Sequence, residues 1–222
     1  MNLFQYINVV YLSTSVFKTL IKAALPVSAI TLSLLIGSVQ PVSAQKEEVS
    51  ESQVGPYIQL GIGTGFGTTV DGSLYGHSVS GDGRTVLSGG IGIGYDFGPV
   101  RADISVARGW SYLDNVSVSG YKYDVDDNNY AWGVGLGLAL DIPTNSKWTP
   151  YLHASGGPSW GDDTDDVAWG YGGGIGVTYA ASQEVDVYGQ VGYNWAPSQT
   201  IDSFDADGSG QFGVGAGVRF RL

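Results

Sequence analysis

Hydrophobic and polar positions alternate along most of this chain with a period of two. In residues 211–222, QFGVGAGVRFRL, one parity holds Phe212, Val214, Ala216, Val218, Phe220 and Leu222. The other holds Gln211, Gly213, Gly215, Gly217, Arg219 and Arg221. A strand sends successive side chains to opposite faces, so this segment has one apolar face and one of glycine and charge. The pattern recurs upstream in Pro56–Gly67, Thr85–Phe97, Val100–Trp110, Tyr130–Asp141, Thr149–Gly157, Ala168–Tyr179 and Val185–Trp195. The stretch from 130 is the clearest, setting Trp132, Val134, Leu136, Leu138 and Leu140 against Gly133, Gly135, Gly137, Ala139 and Asp141. Together these predict eight strands, each close to the roughly ten residues that a tilted strand needs to cross a bilayer.

The connections alternate strictly between short and long. Gly98-Pro99, Ile142 to Trp148 and Ala180 to Glu184 are short, whereas Gly67 to Arg84, Ser111 to Asn129, Pro158 to Val167 and Ala196 to Gly210 are longer and rich in Asp, Gly and Ser. A soluble eight-stranded barrel would turn a polar face to water, but here the polar face is largely glycine. An apolar face that meets lipid, with the last strand closing on the first, accounts for the pattern without an open sheet edge. The expected fold is therefore all-β: an eight-stranded antiparallel up-and-down transmembrane barrel with both termini periplasmic and the long loops external. The aromatics sort into two groups on this topology. Tyr57, Tyr95, Phe97, Trp148, Tyr151, Tyr179 and Phe220 fall at the periplasmic end, and Phe66, Trp110, Tyr112, Tyr130, Trp132, Trp169, Tyr171, Tyr193, Trp195 and Phe212 at the external end. Such rings are what the two membrane interfaces select.

Composition sharpens this. The 222 residues include 35 Gly, 14 Tyr and 6 Trp but no Cys, and only 14% are charged. Without Cys there is no disulfide, lipid-modified cysteine or thiolate metal centre. A formal charge of −11 argues against nucleic acid as a partner. Residues 1–44 read as a secretory signal peptide: Lys18 and Lys22 precede an apolar run from Ala23 to Gly37, and Val42-Ser43-Ala44 offers a small-residue cleavage site. Residues 45–55 are a flexible acidic lead-in, and 56–222 form the barrel.

The final segment resembles the C-terminal strand of bacterial outer-membrane barrels, which usually ends in Phe or Trp. Here Leu222 stands last and the aromatic is Phe220, so Val218, Phe220 and Leu222 are the expected assembly signal. With phrases such as Gly94-Tyr95-Asp96-Phe97-Gly98, Val100-Arg101-Ala102-Asp103 and Pro150-Tyr151-Leu152, the region from Pro56 to Leu222 resembles the outer-membrane protein A/X and opacity-protein group of porin-like surface antigens. The resemblance implies a cell outer-membrane location, reached through the periplasm after signal-peptide cleavage. It also implies periplasmic chaperones and the barrel-assembly machinery as partners, with outer-membrane lipid and lipopolysaccharide as surroundings.

Candidate chemistry is sparse. Asp96, Arg101, Asp103, Asp141, Asp186, Arg219 and Arg221 share the glycine parity and are expected inside the barrel, as an ion-pair network in a lumen only wide enough for its side chains. A narrow ion path is the alternative. His153 and Ser155 have a spacing similar to the His-x-Ser-Asn motif of outer-membrane lipid A deacylases, but Gly156 replaces the Asn and the pair points into the lumen, away from lipid substrate. No catalytic role is assigned. Asp162-Asp163-Thr164-Asp165-Asp166, the cluster Asp124, Asp126 and Asp127, and Asp205-Ala206-Asp207-Gly208 make the long loops acidic; the last resembles the opening of a calcium loop but lacks its terminal Glu. No cofactor or metal is expected. His77 stands in a polar loop with no evident partner in the sequence. The sequence predicts a non-enzymatic envelope or surface-interaction barrel, with a small pore as the alternative and a lipid A-modifying enzyme third; it does not identify an external ligand.

Overall fold

A computed structural model describes residues 54–162, 166–201 and 204–222. The expected signal peptide at 1–44, nearly all of the expected lead-in at 45–55, and Asp163 to Asp165 of the acidic run lie outside the described residues. Eleven strand segments form one antiparallel sheet: β1 (Gly55–Phe66), β2 (Thr68–Leu74), β3 (His77–Asp96), β4 (Val100–Val118), β5 (Tyr121–Asp141), β6 (Trp148–Gly161), β7 (Ala168–Ala180), β8 (Val185–Ala196), β9 (Gln199–Ile201), β10 (Phe204–Ala206) and β11 (Ser209–Arg221). β1 pairs with both β3 and β11, which closes β1, β3, β4, β5, β6, β7, β8 and β11 into an eight-stranded barrel. Closure leaves no strand edge within the wall, so every backbone group there can be paired without water.

The seam shows how register carries the facing. Ile58, Leu60 and Ile62 oppose Phe220, Val218 and Ala216, all on the apolar parity, while Gln59 opposes Arg219. Leu60, Ile62, Ile91, Ile93, Leu136, Leu138, Ile175 and Val191 are exposed on the outer wall although all are large aliphatic residues. Apart from the small Ala216, the buried positions of the wall are of the opposite parity and include Gln59, Ser88, Arg101, Asp186, Asn194 and Arg219. This is a protein turned apolar-side out, the arrangement a lipid solvent requires.

Two expectations need correction. Tyr57 and Tyr151 do not join an interfacial ring. They are buried in the lumen at 1% and 3% exposure, because both sit on the lumen parity of their strands and the pleat overrides any interfacial preference. The segments 67–84 and 111–129 are not irregular loops either. β3, β4 and β5 run to 20, 19 and 21 residues, about twice the length a crossing needs, so their far halves project beyond the wall as hairpins. The hairpins turn at Tyr75-Gly76 and Ser119-Gly120, where all four residues have positive φ (50°, 78°, 50° and 86°), the geometry that matches the twist of paired strands. β10 then pairs with β2 and with β9, extending the projecting sheet beyond β3. Leu74, Val79 and Ala206 are buried within it.

The short connections gather at the opposite rim, here termed the turn end. Phe97 N–H donates to Val100 O at 2.8 Å around Gly98 (φ 96°), and Asp96 Oδ1 accepts from Gly98 N–H at 2.8 Å. The first and last strands finish at the same rim, where Leu222 N–H donates to Pro56 O and Arg221 N–H to Glu184 O.

Candidate functional site, a polar plug in the lumen

At the turn end the lumen is filled by three arginines, four aspartates and three tyrosines. Arg101 holds Asp141 with two N–H···O bonds, Nε to Oδ2 at 2.7 Å and Nη2 to Oδ1 at 2.6 Å. This fork-on-carboxylate geometry gives the most directional form of ion pair. Asp186 is fully buried, and its Oδ2 accepts from Arg221 Nη2 at 2.9 Å, Arg221 Nε at 3.2 Å and Arg219 Nη1 at 3.4 Å. Arg221 also lies 4.0 Å from Asp96. Asp103, although two positions from Arg101 on the same face, forms no ion pair with it among the described contacts. It accepts from Tyr57 Oη at 3.3 Å and from the Gln59 side chain.

The tyrosines roof the cations. Arg101 lies over Tyr151 at 4.8 Å from the ring centroid, and Arg219 lies between Tyr57 (4.9 Å) and Tyr188 (5.4 Å). Tyr151 Oη donates to Gln190 Oε1 at 3.0 Å. A cation held between ring faces and carboxylates has its charge met on several sides, which lowers the desolvation cost of placing it inside a sealed wall.

The glycine parity makes this filling possible. Tyr57, Tyr151 and Tyr188 lie flat against Gly94, Gly176 and Gly217, their register partners on the neighbouring strands; a Cβ at any of the three would overlap the phenol ring. Gln59 lies over Gly92 and Asp103 over Gly137 in the same way. Glycine is needed here for a close approach across the ladder rather than for backbone freedom.

The remaining candidates are placed apart. His153 hydrogen-bonds the backbone of Val191, its ring lies 6.0 Å from Tyr151, and its Nε2 has no hydrogen-bond partner among the described residues. Ser155 is not among its partners, so the His-x-Ser spacing produces no nucleophile–base contact in this structure. Asp205 accepts from Thr200 Oγ1 at 2.8 Å in the β9–β10 hairpin. Asp162 is paired with Arg108, and His77 Nδ1 lies 3.4 Å from Ser119 Oγ, a partner the sequence did not reveal. Val218 and Phe220 stand on the outer face of β11, with Leu222 just beyond it at 76% exposure.

A closed, apolar-out barrel with a polar plug defines a membrane-spanning β-barrel protein. The chain matches the family described as outer membrane protein beta-barrel domain over residues 29–220 and belongs to it, which places the protein in the outer membrane. The barrel is similar to solved structures of that class. The crystal structure of Neisserial surface protein A (NspA) superposes with a TM-score of 0.50 at 20% identity, covering 75% of this chain and 97% of that one. The outer membrane protein OprG from Pseudomonas aeruginosa superposes with a TM-score of 0.56 at 13% identity, covering 78% and 99%. At these identities the likeness concerns the fold. No curated protein sequence matches the chain.

Proposed function

We propose that this is a non-enzymatic surface barrel of the outer membrane, sealed at its periplasmic end, which presents an acidic β-sheet to the exterior as its interaction surface. The observation that carries the reading is the plug. Arg101, Arg219 and Arg221 are tied to aspartates, the first two against the rings of Tyr57, Tyr151 and Tyr188, and together these side chains occupy the section of lumen that a solute would have to cross. In this reading the turn end and both termini face the periplasm, because outer-membrane barrels keep short turns inside and long connections outside. The projecting hairpins and long connections carry Asp71, Asp82, Asp124, Asp162, Asp205 and Asp207 among their acids, with Arg84 and Lys122 as their only Arg or Lys. A surface of one sign steers a partner of the other, so a cationic protein segment or bridging divalent ions suit it. The assembly machinery reads Val218, Phe220 and Leu222, and periplasmic chaperones carry the chain to it.

Because the chain has no Cys, a single introduced thiol reports topology cleanly. Lys122→Cys at the projecting end and Ala181→Cys at the turn end are both at exposed positions. In intact cells a membrane-impermeant maleimide should label the first and spare the second; the reverse result overturns the orientation. Purified protein in planar bilayers should give no steady current. A second reading, a small pore, is favoured by Gly61, Gly63, Gly90, Gly133 and Gly215, which leave the lumen wall beyond the plug small-sided; steady single-channel current from the parent protein would establish it.

A further inference from the structure

Within the wall sections of the eight barrel strands, below the projecting hairpins, one outward residue among those described is charged. It is Arg108 of β4, which shares the parity of Ile104, Val106 and Trp110. Its guanidinium lies over two rings of β5, 5.3 Å from the centroid of Tyr130 and 5.0 Å from that of Trp132. Nη2 donates to Asp162 Oδ2 at 2.7 Å, just past the end of β6. Trp132 is the register partner of Arg108, and Trp160 is the register partner of Trp132, so the cation belongs to a continuous aromatic patch. Both charged side chains remain more than a third exposed.

Depth decides what this cation meets. From Val100 to Arg108 the strand rises eight residues, about 26 Å of chain and about 20 Å of height at a tilt near 40°. The apolar band of such barrels is about 25 Å tall, so the guanidinium stands at its far boundary, where headgroups begin. Arginine carries five N–H donors; Asp162 takes one, and Nε is buried without a partner among the described residues. A half-exposed ion pair contributes little stability, which is a poor reason to place a cation on a lipid-facing wall. A phosphate accepts two parallel N–H bonds from the guanidinium fork, and lipid phosphates are the strong acceptors at that depth.

We propose that Arg108, framed by Tyr130 and Trp132, binds the phosphate of an outer-leaflet glycolipid of the lipid A type, with Asp162 as the internal ligand that the phosphate replaces. The outer-leaflet assignment rests on the orientation proposed above. The site accounts for the aromatic frame: the rings fix the plane of the guanidinium and shield it from hydrocarbon, leaving its edge for an anion.

The test uses protein assembled in membranes and reconstituted into phosphatidylcholine bilayers doped with lipid A, with lipid A retained after mild detergent extraction quantified by mass spectrometry. Heat-modifiable migration verifies that each variant is folded. Arg108→Gln should retain lipid A at least about fivefold less than the parent, the scale of a lost bidentate charged contact. Asp162→Asn should retain as much or more, because it removes the internal competitor. Parent-level retention by Arg108→Gln, or an equal loss in both variants, overturns the proposal in favour of a structural clasp. If Arg108→Gln does not fold, the parent is compared in bilayers doped with lipid A or its dephosphorylated form; preference for the phosphorylated lipid supports the site and equal retention overturns it. The thiol labelling reports orientation independently, so a correctly oriented barrel indifferent to the phosphate sinks this inference alone.

Discussion

Tyr57 lies flat on Gly94, its partner across the β1–β3 ladder, and no side chain larger than hydrogen fits between them. A Cβ at 94 would also fall 2.6 Å from the carbonyl oxygen of Ala102 on the other neighbouring strand, so the collision is with backbone as well as with a ring. Gly94→Ala should therefore destabilise the barrel by about 1–3 kcal/mol, the usual range for overpacking a filled interior. Gly135 is the control. Its nearest neighbour is Ser105 Oγ at 3.2 Å, a small group that can turn aside, and Gly135→Ala should cost far less. Urea unfolding in lipid vesicles, followed by tryptophan fluorescence, ranks the two; equal midpoints would show that the glycines have no packing role.

That relationship marks the boundary of what the sequence displays. Parity alone sorts lipid from lumen, since Leu60, Ile91, Leu136 and Ile175 had to be apolar to meet hydrocarbon and stand outside accordingly. The eight crossing segments and their order were legible for the same reason. The purpose of the glycines was not, because it depends on which glycine faces which tyrosine, and register is set by the closed ladder rather than by local pattern. Tyr57 and Tyr151 carried two conflicting signals, aromatic type at a strand end and lumen parity, and parity prevailed. The projecting hairpins are written in Asp, Gly and Ser, the language of loops, although Ser119-Gly120 between alternating flanks is a hairpin turn signal. Arg108 stands on the outward parity of β4, yet nothing local marks it, and Asp162, 54 residues away, is joined to it only by the fold.

Arg101 and Asp141 form a bidentate pair whose side chains are 4% and 14% exposed. Removing one partner leaves the other charge in a closed lumen, so Arg101→Met should cost about 3–5 kcal/mol. The double variant Arg101→Met with Asp141→Leu should recover much of that loss, because the stranded charge is gone. A double-mutant cycle on unfolding free energy measures the coupling. Additive losses would mean that the two residues act independently.

The plug makes a prediction about conduction that is separate from stability. Tyr151 and Tyr188 are neutral and donate to no aspartate among the described contacts, so trimming them opens space without stranding a carboxylate, whereas Tyr57 donates to Asp103 and is left in place. Tyr151→Ala combined with Tyr188→Ala removes the cover from Arg101 and one side of the cover from Arg219. The doubly trimmed barrel should pass measurable current in planar bilayers, whereas the parent should be silent. Anions should be favoured, since the uncovered groups are guanidinium ions. A parent and variant that conduct alike would remove the tyrosines from any sealing role.

Facing itself can be tested at Leu136. This residue is 66% exposed at the middle of the membrane section of β5, with Ile104 and Gly156 as its register partners on either side. Hydrocarbon offers an arginine no hydrogen-bond acceptor, and near the midplane the side chain has the longest reach to water. Leu136→Arg should therefore lose about 2–4 kcal/mol or fail to assemble. Gly135→Ser places a small hydroxyl on the lumen side, within reach of Ser105 Oγ, and should assemble with little loss. The two substitutions are adjacent in sequence, so propensity and position along the strand are shared and the face is the main difference. A shift of one residue in register would exchange the faces and reverse the order of the two variants. Assembly into lipid vesicles, scored by heat-modifiable migration, should show Gly135→Ser folding and Leu136→Arg impaired; the opposite order would place the apolar wall of this barrel on the inside.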